Sequence, residues 1–262
     1  MKQGLLEILL LAQHKTDEQL ALHAKRVACY ASELAILLGL QNEAKKLFIA
    51  GLFHDLGFLA LDTQYTENCL DLSKEKSITG FENHVNEGKR LMSSVTSDKE
   101  LLAAIRHHHE KYDGTGFPDQ LKANNIPVFA RILNIADSYD SLLTGMASSK
   151  KRITPDNAIA QITNSTNEFG LDPKMVTTFL TLLNKNPVLL QPKNHNALSV
   201  YKMVFLKTGV LEQGDLINQE GTILLKQGNT LNEKILQKIR HEIPGQKFIR
   251  PVIEENQEST NL

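Results

Sequence analysis

His23, His54, Asp55, His84, His108, His109 and Asp137 carry imidazole or carboxylate groups on, or at the ends of, stretches with helical apolar spacing. Together such groups suit iron, manganese, zinc or nickel. An uncompensated carboxylate on a core-facing position is costly, so acids on inward stripes need partners. Neighbouring helix residues point about 100° apart. His108 and His109 therefore cannot both aim at one narrow spot without a helix end, but both can border a broad one. Asp55, next to His54, has two oxygens and can bridge two metals. Two metals about 3.5–4 Å apart clamp a phosphate and activate a water between them. Taken singly each signal is weak: a lone core histidine such as His23 is more often a hydrogen-bonded core residue than a ligand, and a His-Asp dipeptide is common. Position separates the nine histidines. His14, His195 and His241 lack this context and read as surface residues, and His107 is the one most easily mistaken for a ligand.

These side chains must be held by helices. Thr16 and Gln19 form a capping-box pattern before a helix that runs to about Gly39, with Leu20, Val27, Ala31, Leu34 and Leu38 on its apolar stripe and His23 on the same face. A second helix starts near Asn42 and reaches His54 and Asp55, where Gly57 stops it. The polar stretch 62–79 reads as a loop. Residues 81–92 are helical, with His84, Gly88 and Leu91 at i, i+4 and i+7. Ser97 and Glu100 make another capping box for a helix ending at His108 and His109, which the glycines and proline of 112–118 break. Pro127 suits a first helical position in a helix that ends near Gly145. Thr154-Pro155 and Asp172-Pro173 each read as a cap followed by a first helical proline.

After about Asn184 the pattern changes. Residues 186–197 read as a linker, 198–253 as a small β-rich module with a strand over 198–206, and 254–262 as a polar tail. Within the module Thr230 and Glu233 cap a last helix to about Arg240. The expected fold class is mainly α: a helical bundle over 1–185 followed by this small β-rich module. Lysine plus arginine nearly balance aspartate plus glutamate, for a net charge of -1, so no bulk electrostatic footprint for DNA or an anionic membrane is present. No stretch is long enough to span a bilayer. The apolar run at 5–12 is short and interrupted by Glu7, which does not suit a signal peptide. Cys29 and Cys69 do not make a disulfide framework and fit a reducing compartment. A cytoplasmic location is expected.

The segments HAKRV (23–27), FHDLG (53–57), HVNEG (84–88), HHEKYDGTGFP (108–118) and IPVFARILNIADSYDSL (126–142) together resemble the HD-GYP subgroup of the HD phosphohydrolase superfamily. The resemblance covers roughly 15–183, with the motifs in the family's order. It implies a helical HD-domain bundle that hydrolyses cyclic di-GMP to pGpG or GMP, by attack of a metal-bridging hydroxide. It further implies two or three divalent ions, iron or manganese, with zinc, nickel or magnesium as alternatives. His23, His54, Asp55 and Asp137 would hold one ion and Asp55, His84, His108 and His109 the other, with Asp55 shared and catalytic. Asp113, Gly116, Phe117, Pro118 and Asp140 are assigned to the substrate, and the Gly116–Pro118 turn also to diguanylate cyclase domains as partners. The region 209–231 looks like an accessory segment found beside some HD-GYP domains.

The chain departs from that pattern where substrate is handled. The family's HDxGK motif ends here in Phe58, which can neither meet a phosphate as a cation nor protonate a leaving oxygen. Phe117 keeps the ring of the GYP turn without its hydroxyl. Met146 stands near an expected arginine, and Lys150, Lys151 and Arg152 form a charge run of the kind that is usually a solvated face. Gln19 stands where members with a third metal carry a glutamate, which favours two metals. A lost phosphate-contacting cation costs about 1.5–3 kcal/mol, one or two decades in rate or affinity. The alternatives to a cyclic di-GMP phosphodiesterase are a catalytically weak receptor or interaction module, and a phosphohydrolase for another nucleotide.

Overall fold

The structure is a computed structural model that describes residues 3–61, 82–145, 152–164 and 170–185, together with short stretches between 209 and 251. The chain divides into two compact units, Met1–His195 and Asn196–Leu262.

In the first unit the described elements are helices. They are α1 (Gln3–Thr16), α2 (Glu18–Leu37), α3 (Ala44–Phe53), a 3₁₀ turn (Leu56–Ala60), α4 (Asn83–Ser93), α5 (Lys99–His107), α6 (Val128–Thr144), α7 (Pro155–Asn164) and α8 (Pro173–Lys185), with a second short 3₁₀ turn at Ala123–Asn125. No strand lies among the described residues of this unit. Its helices share one apolar core. Tyr30 of α2, Tyr139 of α6 and Phe179 of α8 are buried and meet edge-to-face, with ring centroids 5.3–6.1 Å apart, an arrangement favoured by the ring quadrupoles. No helix among the described residues is long and apolar enough to cross a membrane.

The helix starts differ from the capping boxes expected. The run at 5–12 forms most of α1, and Thr16 donates back to the Ala12 carbonyl within it. The cap of α2 is Asp17, whose carboxylate accepts from the Leu20 N–H at 3.0 Å. Asp98, not Ser97, caps α5, accepting from Glu100 and Leu101. In both cases an aspartate stands one position later. It is as good a cap as serine or threonine and its charge favours the helix N-terminus. Asp172 caps α8 as expected, accepting from Lys174 and Met175. Pro127 is the cap residue of α6 rather than its first helical residue, and Gly145 ends α6 in the left-handed conformation.

Gly57 does not act as a helix stop. The 3₁₀ turn runs through it, and a Cβ there would collide with the backbone carbonyl of His84 and the N–H of Gly88. The turn after Asp55 thus lies directly on α4. Gly51 plays the same part on the other side, because its missing Cβ lets α3 press against the backbone of Ala28 in α2. These two close approaches bring His23, Asp55 and His84 within reach of one another.

In the second unit the described stretches are short. Gly209–Val210 pairs antiparallel with Thr230–Leu231, and Leu216–Ile217 pairs antiparallel with Ile223–Leu225 and with Arg250–Pro251. These isolated pairings do not support the β-rich module as a defined fold. Thr230 sits in such a pairing, and the helix expected from there to about Arg240 lies outside the described residues. The expected strand at 198–206, the loop at 62–79, Met146 and Lys150–Lys151 lie outside the described residues.

Gly57→Ala must push α4 away from the turn, at a cost of about 1–3 kcal/mol for a backbone overlap that no rotamer relieves. The expected result is a lower urea midpoint for the helical unit. An unchanged midpoint would show that the turn and α4 are not in close contact.

Candidate metal centre

Both adjacent ligand pairs sit at helix ends. His54 is the C-cap residue of α3 and Asp55 follows it; His108 is the C-cap residue of α5 and His109 follows. His54 keeps helical dihedrals, but Asp55 departs from them (φ −97°, ψ 10°), which relaxes the regular 100° step and lets the two neighbours face one site. The last carbonyls of a helix have no partner within it. The Nδ1–H of His54 uses one of them, donating to Gly51 O at 2.8 Å, and that of His108 uses another, donating to Ile105 O at 2.8 Å. Each bond leaves Nε2 as a lone pair directed inward. Two helix C-termini, each partially negative, therefore end at the site, which favours a cation there.

Asp55 stands between two groups of imidazoles. Its Oδ2 lies 3.1 Å from His54 Nε2 and 3.7 Å from His23 Nε2, while its Oδ1 lies 3.4 Å from His84 Nε2 and 3.6 Å from His108 Nε2. On the first side Asp137 Oδ1 is 3.2 Å from His23 Nε2. On the second, His109 lies beside His84 and His108, with ring centroids 5.0 and 4.1 Å away. Two sets of ligand atoms share Asp55, His23–His54–Asp55 and Asp55–His84–His108–His109, each with its atoms within 4.8 Å of one another; a third group, His107–Glu110–Asp119, lies apart from Asp55 and includes the exposed Asp119. Asp137 joins the first set through His23.

The fit to metal ions rests on two features of these side chains. His54 Nε2 is buried and, despite its nearness to Asp55, makes no hydrogen bond. The Nε2 atoms of His84 and His108 face each other at 3.4 Å. With His108 Nδ1 carrying its proton to Ile105, two imidazole nitrogens so placed require a proton or a cation between them. A divalent ion in each set would satisfy these features, one at His54 and one between His84 and His108, and imidazole with carboxylate donors suits iron, manganese, zinc or nickel.

The electrostatics are those of a site awaiting positive charge. Burial alone would raise the Asp55 carboxyl, but His54, His108 and His84 hold it well below the usual carboxylate range. Burial also opposes the charge on Asp137, and His23, His54 and His109 overcome it, holding that carboxyl low. Burial, followed by the neighbouring His108 and His84, pushes His109 well below the ordinary imidazole value, so it is neutral and fit to ligate. His23 goes the other way. Burial lowers it, but Asp137 and Asp140 outweigh burial and raise it to about 10.

The residues assigned to substrate are placed unevenly. Asp113 is exposed and accepts from the N–H and hydroxyl of its neighbour Thr115, forming a local turn. Gly116 is buried against the backbone of Glu110 and Lys111, so it shapes the turn and offers no side chain. Phe117 lies over His109 with centroids 4.9 Å apart and precedes Pro118 by a cis peptide bond; both are half-buried. Asp140 requires a correction: it is fully buried, gripped by Arg26 and bonded to His23, and cannot reach a substrate. Phe58 stacks flat on His84, with centroids 4.4 Å apart and planes 7° apart. His107 turns away, donating to the Ala103 carbonyl and meeting Asp119, which also pairs with Arg106. Gln19 is exposed.

Sequence reasoning passed over Arg26, Glu110 and Asn134. Buried Glu110 accepts from the N–H groups of Asp119 and Leu121 at 2.7 and 3.0 Å, which ties down the far side of the Gly-rich turn. Asn134 donates to the Glu110 carbonyl. The one available signal was Arg26, a charged residue on the stripe shared by His23 and Val27.

Comparison with known proteins adds the family. A family model described as HD domain matches residues 8–175. The chain is 33% identical over 165 residues to the "3'3'-cGAMP-specific phosphodiesterase 2" of Vibrio cholerae, covering 60% of this chain and 30% of that protein. It is 30% identical over 164 residues to the "Cyclic di-GMP phosphodiesterase response regulator RpfG" of Xanthomonas campestris, covering 60% of this chain and 41% of that one. The chain thus spans less than half the length of either relative. Among solved structures, a cyclic GMP-AMP specific phosphodiesterase of V. cholerae superposes with a TM-score of 0.52 at 19% identity, covering 83% of this chain and 52% of that one, which establishes a shared fold.

Because His23 carries a proton up to about pH 10 in the metal-free protein, metal uptake there must displace it. Affinity on that side should rise by up to about tenfold per pH unit from pH 6.5 towards 10. Without metal, the same raised value stabilises the fold fully below pH 6.5, and this is lost as pH rises through about 10. Calorimetry in two buffers of different ionisation enthalpy measures the proton released. A pH-independent affinity with no proton release would contradict this assignment.

Proposed function

The chain belongs to the HD domain family, and we propose that it is a metal-dependent phosphodiesterase that opens a cyclic dinucleotide, converting cyclic di-GMP to pGpG or GMP. The observation that carries this reading is the division of labour within Asp55: one oxygen faces His23 and His54, the other His84 and His108. That is the arrangement by which one carboxylate can bridge two metals. His23, His54, Asp55 and Asp137 would hold one ion, and Asp55, His84, His108 and His109 the other. When bound, the ions would supply Lewis-acid activation of water and neutralisation of the charge that develops at phosphorus.

The protein's own groups set the conditions for that chemistry. The depressed carboxyls of Asp55 and Asp137 remain ionised, and neutral His109 keeps a lone pair available. Phe117 packs over His109, and Phe58 over His84, so aromatic rings border that side of the centre. Phe58 supplies no proton for a leaving oxygen. That proton must come from water or from another residue.

The named relatives support a cyclic dinucleotide, either cyclic di-GMP or 3'3'-cGAMP, as the substrate class. A second reading, a receptor with slow turnover, is favoured by Phe58 alone, since an aromatic ring stands where the resemblance places a lysine. The reading of the Gly116–Pro118 turn as a docking point for diguanylate cyclase domains rests on the resemblance. The packing of Phe117 on His109 would link such a partner to the metal centre.

The test is to load the full chain anaerobically with Fe²⁺ or Mn²⁺ and incubate it with cyclic di-GMP and, separately, 3'3'-cGAMP. A linear dinucleotide should form, and Asp55→Ala should abolish it. Micromolar binding without product would support the receptor reading. Neither binding nor hydrolysis of either nucleotide would overturn the proposed substrate class.

A further inference from the structure

The ligands of the centre are backed in two different ways. His54 and His108 are each oriented by a neutral backbone carbonyl at the end of their own helix. His23 lies within α2 and has no such carbonyl to use. Its Nδ1 instead donates to Asp140 Oδ2 at 2.7 Å, across to α6. Asp140 is itself held by a buried fork: Arg26 Nε donates to Oδ1 at 2.6 Å and Arg26 Nη2 to Oδ2 at 3.0 Å. Arg26 and Asp140 are both buried, the latter at 0% exposure. An isolated buried carboxylate would be prohibitive, and the bidentate arginine removes that cost while leaving Oδ2 aimed at His23.

We propose that Arg26 and Asp140 form a positioning pair for one half of the centre only, fixing His23 so that the metal on the His23–His54–Asp137 side is held more tightly than its neighbour. This rests on the two-metal reading above. Two effects run in that direction. A carboxylate accepting from Nδ1–H fixes which nitrogen keeps its proton, so that Nε2 is the atom left to face Asp137 and Asp55 as a lone pair once metal displaces the proton there, and it makes the imidazole a better donor than a carbonyl does. The arginine fork also leaves the carboxylate little freedom to rotate away. The side-chain bonds of the pair run to each other and to His23, so its influence enters through that ligand.

The test follows Mn²⁺ binding to chelator-stripped full-length protein by titration and electron paramagnetic resonance. Wild type should take up two ions in unequal steps and show an exchange-coupled dimanganese signal at the end. Asp140→Asn keeps the shape and removes the charge. It should weaken the tighter step by about 10–100-fold and replace the coupled signal with that of isolated Mn²⁺ at the same loading. Arg26→Lys keeps the charge without the fork and should keep much of the two-step uptake. The double variant Arg26→Met/Asp140→Leu removes the ion pair without stranding either charge. It should keep the melting temperature near wild type and still lose the tighter step. Wild-type affinity at both steps in Asp140→Asn would overturn the inference. Equal weakening of both steps together with a large fall in melting temperature would overturn it too, since that is what a merely structural pair would give. A wild-type protein that takes up no Mn²⁺ would overturn the two-metal reading and this inference with it.

Discussion

A carboxylate buried among imidazoles needs positive charge close by, and in this chain the need is concentrated on Asp55. Its two oxygens point to different histidine groups, and it is 7% exposed. Protonated histidines could balance it in part. They do so on the His23 and His54 side, but not on the other, where His84 and His108 present ring nitrogens to each other and His109 resists protonation. Divalent ions resolve all of this together. Much of the helical unit can be understood as the means of holding that arrangement in the absence of solvent.

The means are ordinary features of helices. The ends of α3 and α5 supply unpaired carbonyls that orient His54 and His108 and release the neighbouring residues from helical geometry. Gly51 and Gly57 permit backbone approaches that a side chain would block. They set the distances between α2, α3 and α4, and therefore between ligands more than sixty residues apart in the chain. The long helices α2 and α6 contribute ligands from their interiors, where no end carbonyl is available. For His23 of α2 the orienting partner is Asp140, held by Arg26, while Asp137 of α6 accepts from the Ser141 hydroxyl. The Gly-rich turn is fixed separately, by Glu110 and Asn134 from below and by Phe117 packing on His109.

The side chains that the structure gathers around Asp55 could be picked out of the sequence because each lies on an inward stripe or at a helix end, and both patterns are local. Most of the helices around them were legible for the same reason; α1 was not read as a helix, and serine or threonine was preferred as cap where an adjacent aspartate does the work at 17 and 98. What could not be read was anything that depends on how helices meet. Gly57 looked like a stop and is a contact. Asp140 was assigned to the substrate through the resemblance, yet its spacing of three from Asp137 puts it on the same inward face, deeper, against Arg26 and His23. Phe58 was recognisable as an unusual residue for its place, but its stacking on His84 depends on the approach of α4 to the turn. Family membership was legible in the motifs, and the choice among cyclic dinucleotides was not, since it depends on side chains around the substrate and not on the ligands.

The claim on which the rest depends is that Asp55 joins two metal ions, and metal content tests it most directly. The full chain, purified without oxygen and analysed by mass spectrometry for iron, manganese, zinc and nickel, should carry two ions per chain, and Asp55→Ala should carry neither at stoichiometric level. An empty wild-type centre that stays empty on incubation with Fe²⁺ or Mn²⁺, or an Asp55→Ala variant that keeps both ions, would contradict it.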